Sequence, residues 1–473
     1  MVFSSTTFLF LFLPLVLVGY FLFRSIKVKN LFLLLTSLLF YSWGEGALVL
    51  LMIASILVNF GVGWQLDRTE VGVVRKRWLV LGIVANLGLL FFYKYANFFV
   101  ANLNVVLNWS GKEGIEWSPI HLPIGISFFT FQAISYVVDV YWKKVAAQRN
   151  PLRVALYISL FPQLIAGPIV RYETIAAQLK QRVHTWDKIS LGMQRFTMGL
   201  AKKVLIADTL GYTADQIFGH APTLLDASTS WLGVICYAFQ IYFDFSAYSD
   251  MAIGLGLIFG FNIPENFRYP YIARSVREFW RRWHISLSTW FRDYLYIPLG
   301  GNRQGTVRTY VNLLIVFFLC GFWHGASWNF VVWGLFHGFF LVIERMAFGR
   351  VLKRLPAVVG HAYLIVVVLL SWVFFRAEDL PHALQYFQAM FGGMPQSTYY
   401  VGFYLSQSLW FTLGCAILFS MPVFHWLPKQ FEKWSGARPY LPLVYFAGLA
   451  ILLVLSISTV IISSYNPFIY FRF

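Results

Sequence analysis

The chain has 473 residues, of which 59% are hydrophobic, 19% aromatic and only 12% charged, with a mean hydropathy of +0.64. No water-soluble domain of this length can cover so much apolar surface, so composition places the chain in a membrane as a polytopic protein. The formal charge of +17 does not point to nucleic acid, because the Lys and Arg residues lie in short connections between apolar runs instead of one soluble block.

The first apolar run is Phe8 to Phe23. Met1-Val2-Phe3-Ser4-Ser5 before it carries no basic residue and no small-residue cleavage site follows, so the run is expected to remain as the first membrane helix. Arg24, Lys27 and Lys29 follow this run. Arg68, Arg75, Lys76 and Arg77 follow the third, and Lys143, Lys144, Arg149 and Arg153 follow the run Leu122 to Trp142. With two helices between successive clusters, all of them fall on one face, the cytoplasmic one, and the N-terminus is expected outside. The longest outside loop, Asn102 to Ile120, is short, so chemistry on that side needs a partner or a pore.

Between Arg171 and Arg308 the orientation cannot be followed, because Phe161-Pro162, Gly167-Pro168 and Ile297-Pro298 interrupt stretches too polar for simple spans. Such breaks are tolerated where the backbone is buried in protein or lines a cavity. Within this region the run Tyr242 to Gly254 holds two acids, Asp244 and Asp250, which need partners at membrane depth. They suit either a proton relay of a transporter or a structural role, with Ser246 and Asp250 bonded at i, i+4. The lack of matching acids on other helices favours the structural role.

Arg274 to Asp293 reads as one helix with two faces. Trp280, His284, Leu287 and Phe291 form an apolar stripe at i, i+4, i+7 and i+11. Arg277, Arg281, Ser288 and Arg292 form a basic row beside it, which suits lipid headgroups or, as donor-binding residues, a phosphate-bearing donor or acidic carrier. Asp293 is positioned to orient an imidazole by accepting its second N–H.

Trp323-His324-Gly325 closes the apolar run Leu313 to Phe322. A titratable imidazole there is either a packed, hydrogen-bonded core residue or a base that activates a hydroxyl for acyl transfer. Phe336-His337-Gly338 repeats the pattern from another turn. Cys236, Cys320 and Cys415 lack ligand spacing and read as small buried hydrophobes, and no metal site is expected. Arg345, Arg350, Lys353 and Arg354 precede a span Ala357 to Phe375. A further span, Leu405 to Phe424, leads to Lys429, Lys433 and Arg438, and Leu441 to Ile461 is the last. The chain end, Ser463 to Phe473, is then also expected outside. The expected fold is all-α: one membrane-embedded domain over residues 1–473, with roughly nine to eleven spans of about 20 residues and re-entrant pieces.

The ordered motifs Phe243-Asp244-Phe245-Ser246, Tyr248-Ser249-Asp250-Met251-Ala252-Ile253-Gly254, Glu278-Phe279-Trp280-Arg281-Arg282-Trp283-His284, Phe291-Arg292-Asp293-Tyr294, Gly300-Gly301-Asn302-Arg303 and Trp323-His324-Gly325 resemble the membrane-bound O-acyltransferase family. Within it they are most similar to the branch that O-acetylates bacterial exopolysaccharides, alginate or cellulose. The resemblance implies a helical wall with a thinner centre and a cytoplasmic funnel, with a central tunnel joining both sides at the residue matching His324. His284 matches the family's second site histidine, so both are the expected catalytic residues. It further implies a multi-pass protein of the bacterial inner membrane, in contact with membrane lipid and with no bound cofactor. Acetyl-CoA or an acyl carrier would supply a thioester on the cytoplasmic side. Periplasmic acetyl-accepting proteins of a polysaccharide modification complex would receive the acetyl group. The competing readings are a carrier-dependent D-alanyl transferase of the same family, a transporter of polysaccharide or acyl groups, and a structural scaffold.

Overall fold

The computed structural model describes residues 2–394, 397–423 and 440–469. Among them the chain is helical, with no strand and one isolated β-bridge between Leu225 and Tyr399. It divides into two compact units, Met1–Gly192 with Ala252–Pro264, and Met193–Met251 with Glu265–Phe473.

The first unit contains α1 (Leu13–Leu22), α2 (Ile26–Glu45), α3 (Val49–Arg68), α4 (Val73–Leu90), α5 (Ala96–Trp109), α6 (Ile126–Tyr141), α7 (Pro151–Ser159), α8 (Phe161–Leu164) and α9 (Tyr172–Lys180). Every residue of α6 from Ile126 to Val140 is buried, the polar Thr130, Gln132, Ser135 and Asp139 included, so this helix lies in the core of the unit on all its sides. Small residues let its neighbours approach: a Cβ on Gly63 of α3 would meet the Tyr136 ring, and one on Gly82 of α4 would meet Val137. Asn59 and Asn86 join α3 to α4 by reciprocal amide hydrogen bonds of 3.0 and 2.7 Å, both side chains buried. Arg75, one of the basic residues expected on the cytoplasmic face, is 5% exposed. Its guanidinium donates to Leu66 O and Thr69 O at the end of α3 and to Val140 O and Tyr141 O at the end of α6. One guanidinium thus caps carbonyls at the ends of two helices, groups that have no partner within their own helix.

α10 (Trp186–Ala201) and α12 (Ala227–Ile258) have residues in both units. The second unit also contains α11 (Asp208–Phe218), α13 (Val276–Trp280), α14 (Ile285–Phe291), α15 (Thr306–His324), α16 (Trp328–Arg345), α17 (Phe348–Arg354), α18 (Ala357–Arg376), α19 (Leu380–Met390), α20 (Gln407–Phe419) and α21 (Leu441–Ile462). α15 and α16 pack backbone to backbone, since a Cβ on either Gly321 or Gly334 would lie 3.0 Å from the other's Cα.

Among the described residues, five helical stretches are long and apolar enough to cross a membrane: Ile26–Arg68, Val73–Trp109, Thr306–His324, Ala357–Arg376 and Leu441–Ile462. A sixth arises if Trp328–Arg345 and Phe348–Arg354, bent by 70°, form one span. The hydropathy-based number of nine to eleven is larger for two reasons. It counts Phe8–Leu22, Ile126–Tyr141 and Gln407–Phe419, which are apolar but shorter. It also divides stretches that stay helical through short turns, such as Gly46–Leu48. Helix bounds otherwise follow the expectation closely, as at Ala357–Arg376 and Leu441–Ile462. Lys429, Lys433 and Arg438 lie outside the described residues.

Candidate functional site

His324 is the last residue of α15, where the backbone leaves the helix through an extended Gly325. It is 3% exposed. Its imidazole packs against the rings of Trp323 at 4.9 Å, Trp333 of α16 at 5.0 Å and Phe375 of α18 at 5.3 Å between centroids. The glycine crossing of α15 on α16 makes this possible, because bulkier residues would hold Trp333 away from the end of α15.

His284 does not lie within one continuous helix, as the periodicity from Arg274 to Asp293 suggested. α13 ends at Trp280 and α14 begins at Ile285, and between them His284 adopts a left-handed conformation with φ +41°. A tertiary partner overrides the helical pattern. Buried Asn266 accepts the Ile285 N–H on its main-chain oxygen at 2.9 Å and the Ser286 N–H on Oδ1 at 3.1 Å, capping α14 from outside its own sequence. The apolar stripe survives the break, since Trp280, His284, Leu287 and Phe291 are all buried.

The same amide fixes the chemistry of His284. A backbone N–H can only donate, so the Asn266 atom facing Ser286 is its oxygen, and that oxygen also accepts from Ser286 Oγ at 2.8 Å. His284 Nδ1 lies 3.2 Å from it and must therefore donate, which leaves the lone pair of the neutral ring on Nε2. Asn266 Nδ2 donates in turn to Ser249 Oγ of α12 at 3.2 Å. His284 packs on Phe245 at 4.6 Å and on Trp323 at 6.3 Å. The two predicted histidines therefore share one indole as neighbour.

The ring contacts continue beyond the expected pair. Trp333 lies between His324 and His337, which is wholly buried and 5.1 Å from it. His337 Nδ1 accepts from Trp280 Nε1 at 3.4 Å. Three buried imidazoles and three indoles thus alternate through the core of this unit. Trp333 Nε1 is buried and has no hydrogen-bond partner among the described residues.

Of the remaining expected residues, Asp293 forms a two-point ion pair with adjacent Arg292, at 2.6 and 3.0 Å. The group facing His284 Nδ1 is Asn266, which the motif reading missed: nothing local marks an asparagine as the cap of a helix that starts 19 residues later. Arg277, Arg281 and Arg292 are all exposed, but the break at His284 divides their row. Arg277 lines a cavity of about 740 Å³ together with Arg274, Arg345, Arg350 and Lys353, whereas Arg281 and Arg292 do not line it.

The acids of α12 have strong partners. Asp250 receives Arg195 Nη2 and Lys202 Nζ, each at 2.7 Å, and Arg195 forks onto Glu265 at 2.7 and 2.6 Å. Ser246 Oγ donates to Phe243 O, so the proposed Ser246–Asp250 pair gives way to cations that the acid binds more strongly. Asp244 pairs with Lys203 at 2.9 Å and accepts the Ile469 N–H at 2.9 Å. Lys203 also reaches Asp208 and the carbonyl of Pro467, and Tyr465 donates to Asp215 at 2.7 Å. Asp244 and Asp215 thus anchor the segment after α21, while Asp250 ties α12 to Arg195 and Lys202, a structural role in keeping with the sequence preference.

Comparison with known proteins supports the same region. The family model of membrane-bound O-acyltransferases matches residues 145–380, which include both histidines, Asn266 and the cavity. A probable alginate O-acetylase from Pseudomonas aeruginosa is 47% identical over 83% of this chain and 75% of its own length. A peptidoglycan O-acetyltransferase from Helicobacter pylori is 39% identical over 83% of this chain and 80% of its own. A teichoic acid D-alanyltransferase from Bacillus subtilis is 27% identical over 53% and 67% respectively.

Proposed function

Because the chain belongs to the membrane-bound O-acyltransferase family, we propose that this O-acyltransferase takes acetyl from a cytoplasmic thioester, acetyl-CoA, and passes it across the inner membrane to periplasmic partners that O-acetylate an exopolysaccharide. The relatives named for alginate and peptidoglycan acetylation support acetyl as the group moved, and the former support alginate as the polymer, with cellulose the other polymer that the motif resemblance implies. Family membership displaces the transporter and scaffold readings.

The observation that carries the mechanism is the pair of buried histidines on one indole. His324 acts as general base and removes the proton of the acceptor hydroxyl as its oxygen attacks the thioester carbonyl. The tetrahedral oxyanion is stabilised by a buried donor, for which Trp333 Nε1 is available beside His324. The tetrahedral intermediate then collapses, the C–S bond breaks, and the leaving sulfur takes up the proton that His324 carries, so that the thiol departs and the imidazole is neutral again. His284, with its Nε2 lone pair, serves as a second acid or base or orients the donor. The apolar rings exclude water that would otherwise hydrolyse the thioester.

The test is release of free thiol from acetyl-CoA by the purified protein in the presence of its acceptor, comparing the parent with His324→Ala. The variant should insert and melt like the parent while losing transfer by about 10²–10⁴-fold, the usual contribution of a general base. Near-parental transfer would refute the base assignment. A parent inert to acetyl-CoA but active with an acylated carrier protein would move the donor to the carrier class.

A further inference from the structure

The cavity beneath the bend between α16 and α17 carries a charge imbalance that the histidine site does not use. Arg274, Arg277, Arg345, Arg350 and Lys353 line it, and none forms an ion pair with a carboxylate among the described residues. Two acids also line it, Glu278 and Glu344, but their oxygens are already engaged. Glu344 accepts the Val276 and Arg277 N–H groups at 2.6 and 3.0 Å, and Glu278 accepts Arg282 Nε at 2.9 Å and the Arg274 N–H at 3.0 Å.

Five cations against two acids leave three positive charges in excess, gathered on a concave surface of about 740 Å³. That volume lies in the range of small-molecule and cofactor sites. Guanidinium groups match the oxygens of a phosphate in geometry as well as charge, and several at one mouth suit an anion with more than one phosphate charge. We propose that this cavity is a phosphate-binding site, occupied by the phosphates of a nucleotide-bearing thioester donor or by the headgroup of an anionic lipid. Its assignment to the donor rests on the acyl-transfer reading above. It replaces the row Arg277, Arg281 and Arg292 as the docking surface, keeping only Arg277.

Titration of the full chain in neutral-lipid nanodiscs with coenzyme A tests the assignment. Arg350→Gln with Lys353→Gln should raise the Kd at least tenfold, while Arg77→Gln, an exposed cation of the first unit, should leave it unchanged. Raising salt should weaken binding to the parent more than to the double variant. If coenzyme A binds equally to both, but phosphatidylglycerol that co-purifies with the parent is lost from the double variant, the site holds and its occupant is lipid. If neither ligand responds, the phosphate site is overturned. A parent that binds coenzyme A here but never releases thiol from acetyl-CoA contradicts the acyl-transfer reading and leaves the site standing. The opposite result, thiol release with ligand binding indifferent to both substitutions, contradicts the site alone.

Discussion

Asn266 governs a histidine 18 positions away in sequence, because its side-chain oxygen is the acceptor for both the Ser286 N–H and His284 Nδ1. Asn266→Ala leaves a buried N–H without a partner, at a cost of about 1–3 kcal/mol, and frees the ring to change tautomer. Its thermal midpoint should fall and its kcat should drop. Asn266→Asp keeps the acceptor and adds a negative charge beside the ring, which raises the imidazole pKa. If His284 must be neutral to act, the acid limb of the pH–rate profile should move to higher pH in Asn266→Asp; an unmoved limb would remove His284 from the titrating step. Trp333→Phe deletes one buried N–H beside His324, and as an oxyanion donor its loss should lower kcat by about 10²–10³-fold with KM little changed. A change confined to KM would assign Trp333 to packing. His324 stood out in the sequence because an ionisable group within an apolar run is costly. Asn266, on a polar loop, carried no such local mark.

At the scale of elements, the glycine crossing of α15 on α16 sets where His324 meets Trp333. Gly321→Ala or Gly334→Ala would drive a methyl group against the facing backbone, with an overpacking cost of about 1–3 kcal/mol. Both should lower the thermal midpoint and impair transfer together. Gly448→Ala in α21, which meets nothing within 4 Å, should leave the midpoint unchanged or slightly raised through helix propensity; equal damage at all three positions would contradict the close-packing account. The long apolar helices were legible because hydropathy alone defines them, as for Ala357–Arg376. The break between α13 and α14 was not, since amphipathic spacing runs through Arg281–His284 without a proline or glycine. The cap that ends the pattern arrives from Asn266, a contact that sequence periodicity does not encode.

For the whole molecule, the claim is vectorial: donor on one side, acceptor on the other. Its orientation rests on the Lys and Arg distribution. That signal is diluted where a basic residue is structural, as Arg75 is in capping two helices. Single cysteines at Gly72 and Gly111 test the orientation in intact cells. Gly72→Cys should react only with reagent that reaches the cytoplasm, and Gly111→Cys with an impermeant external reagent; the reverse pattern would invert the direction of acetyl flow. The most direct measurement uses sealed inside-out vesicles containing the purified chain and its acceptor partners, with [14C]acetyl-CoA added only to the outer medium, the former cytoplasmic side. The account predicts that label accumulates on acceptor inside the lumen while free thiol is released outside, and that His324→Ala lowers both by about 10²–10⁴-fold. Label found only on the outer side, or accumulation undiminished in His324→Ala, would contradict transmembrane acetyl transfer at this histidine.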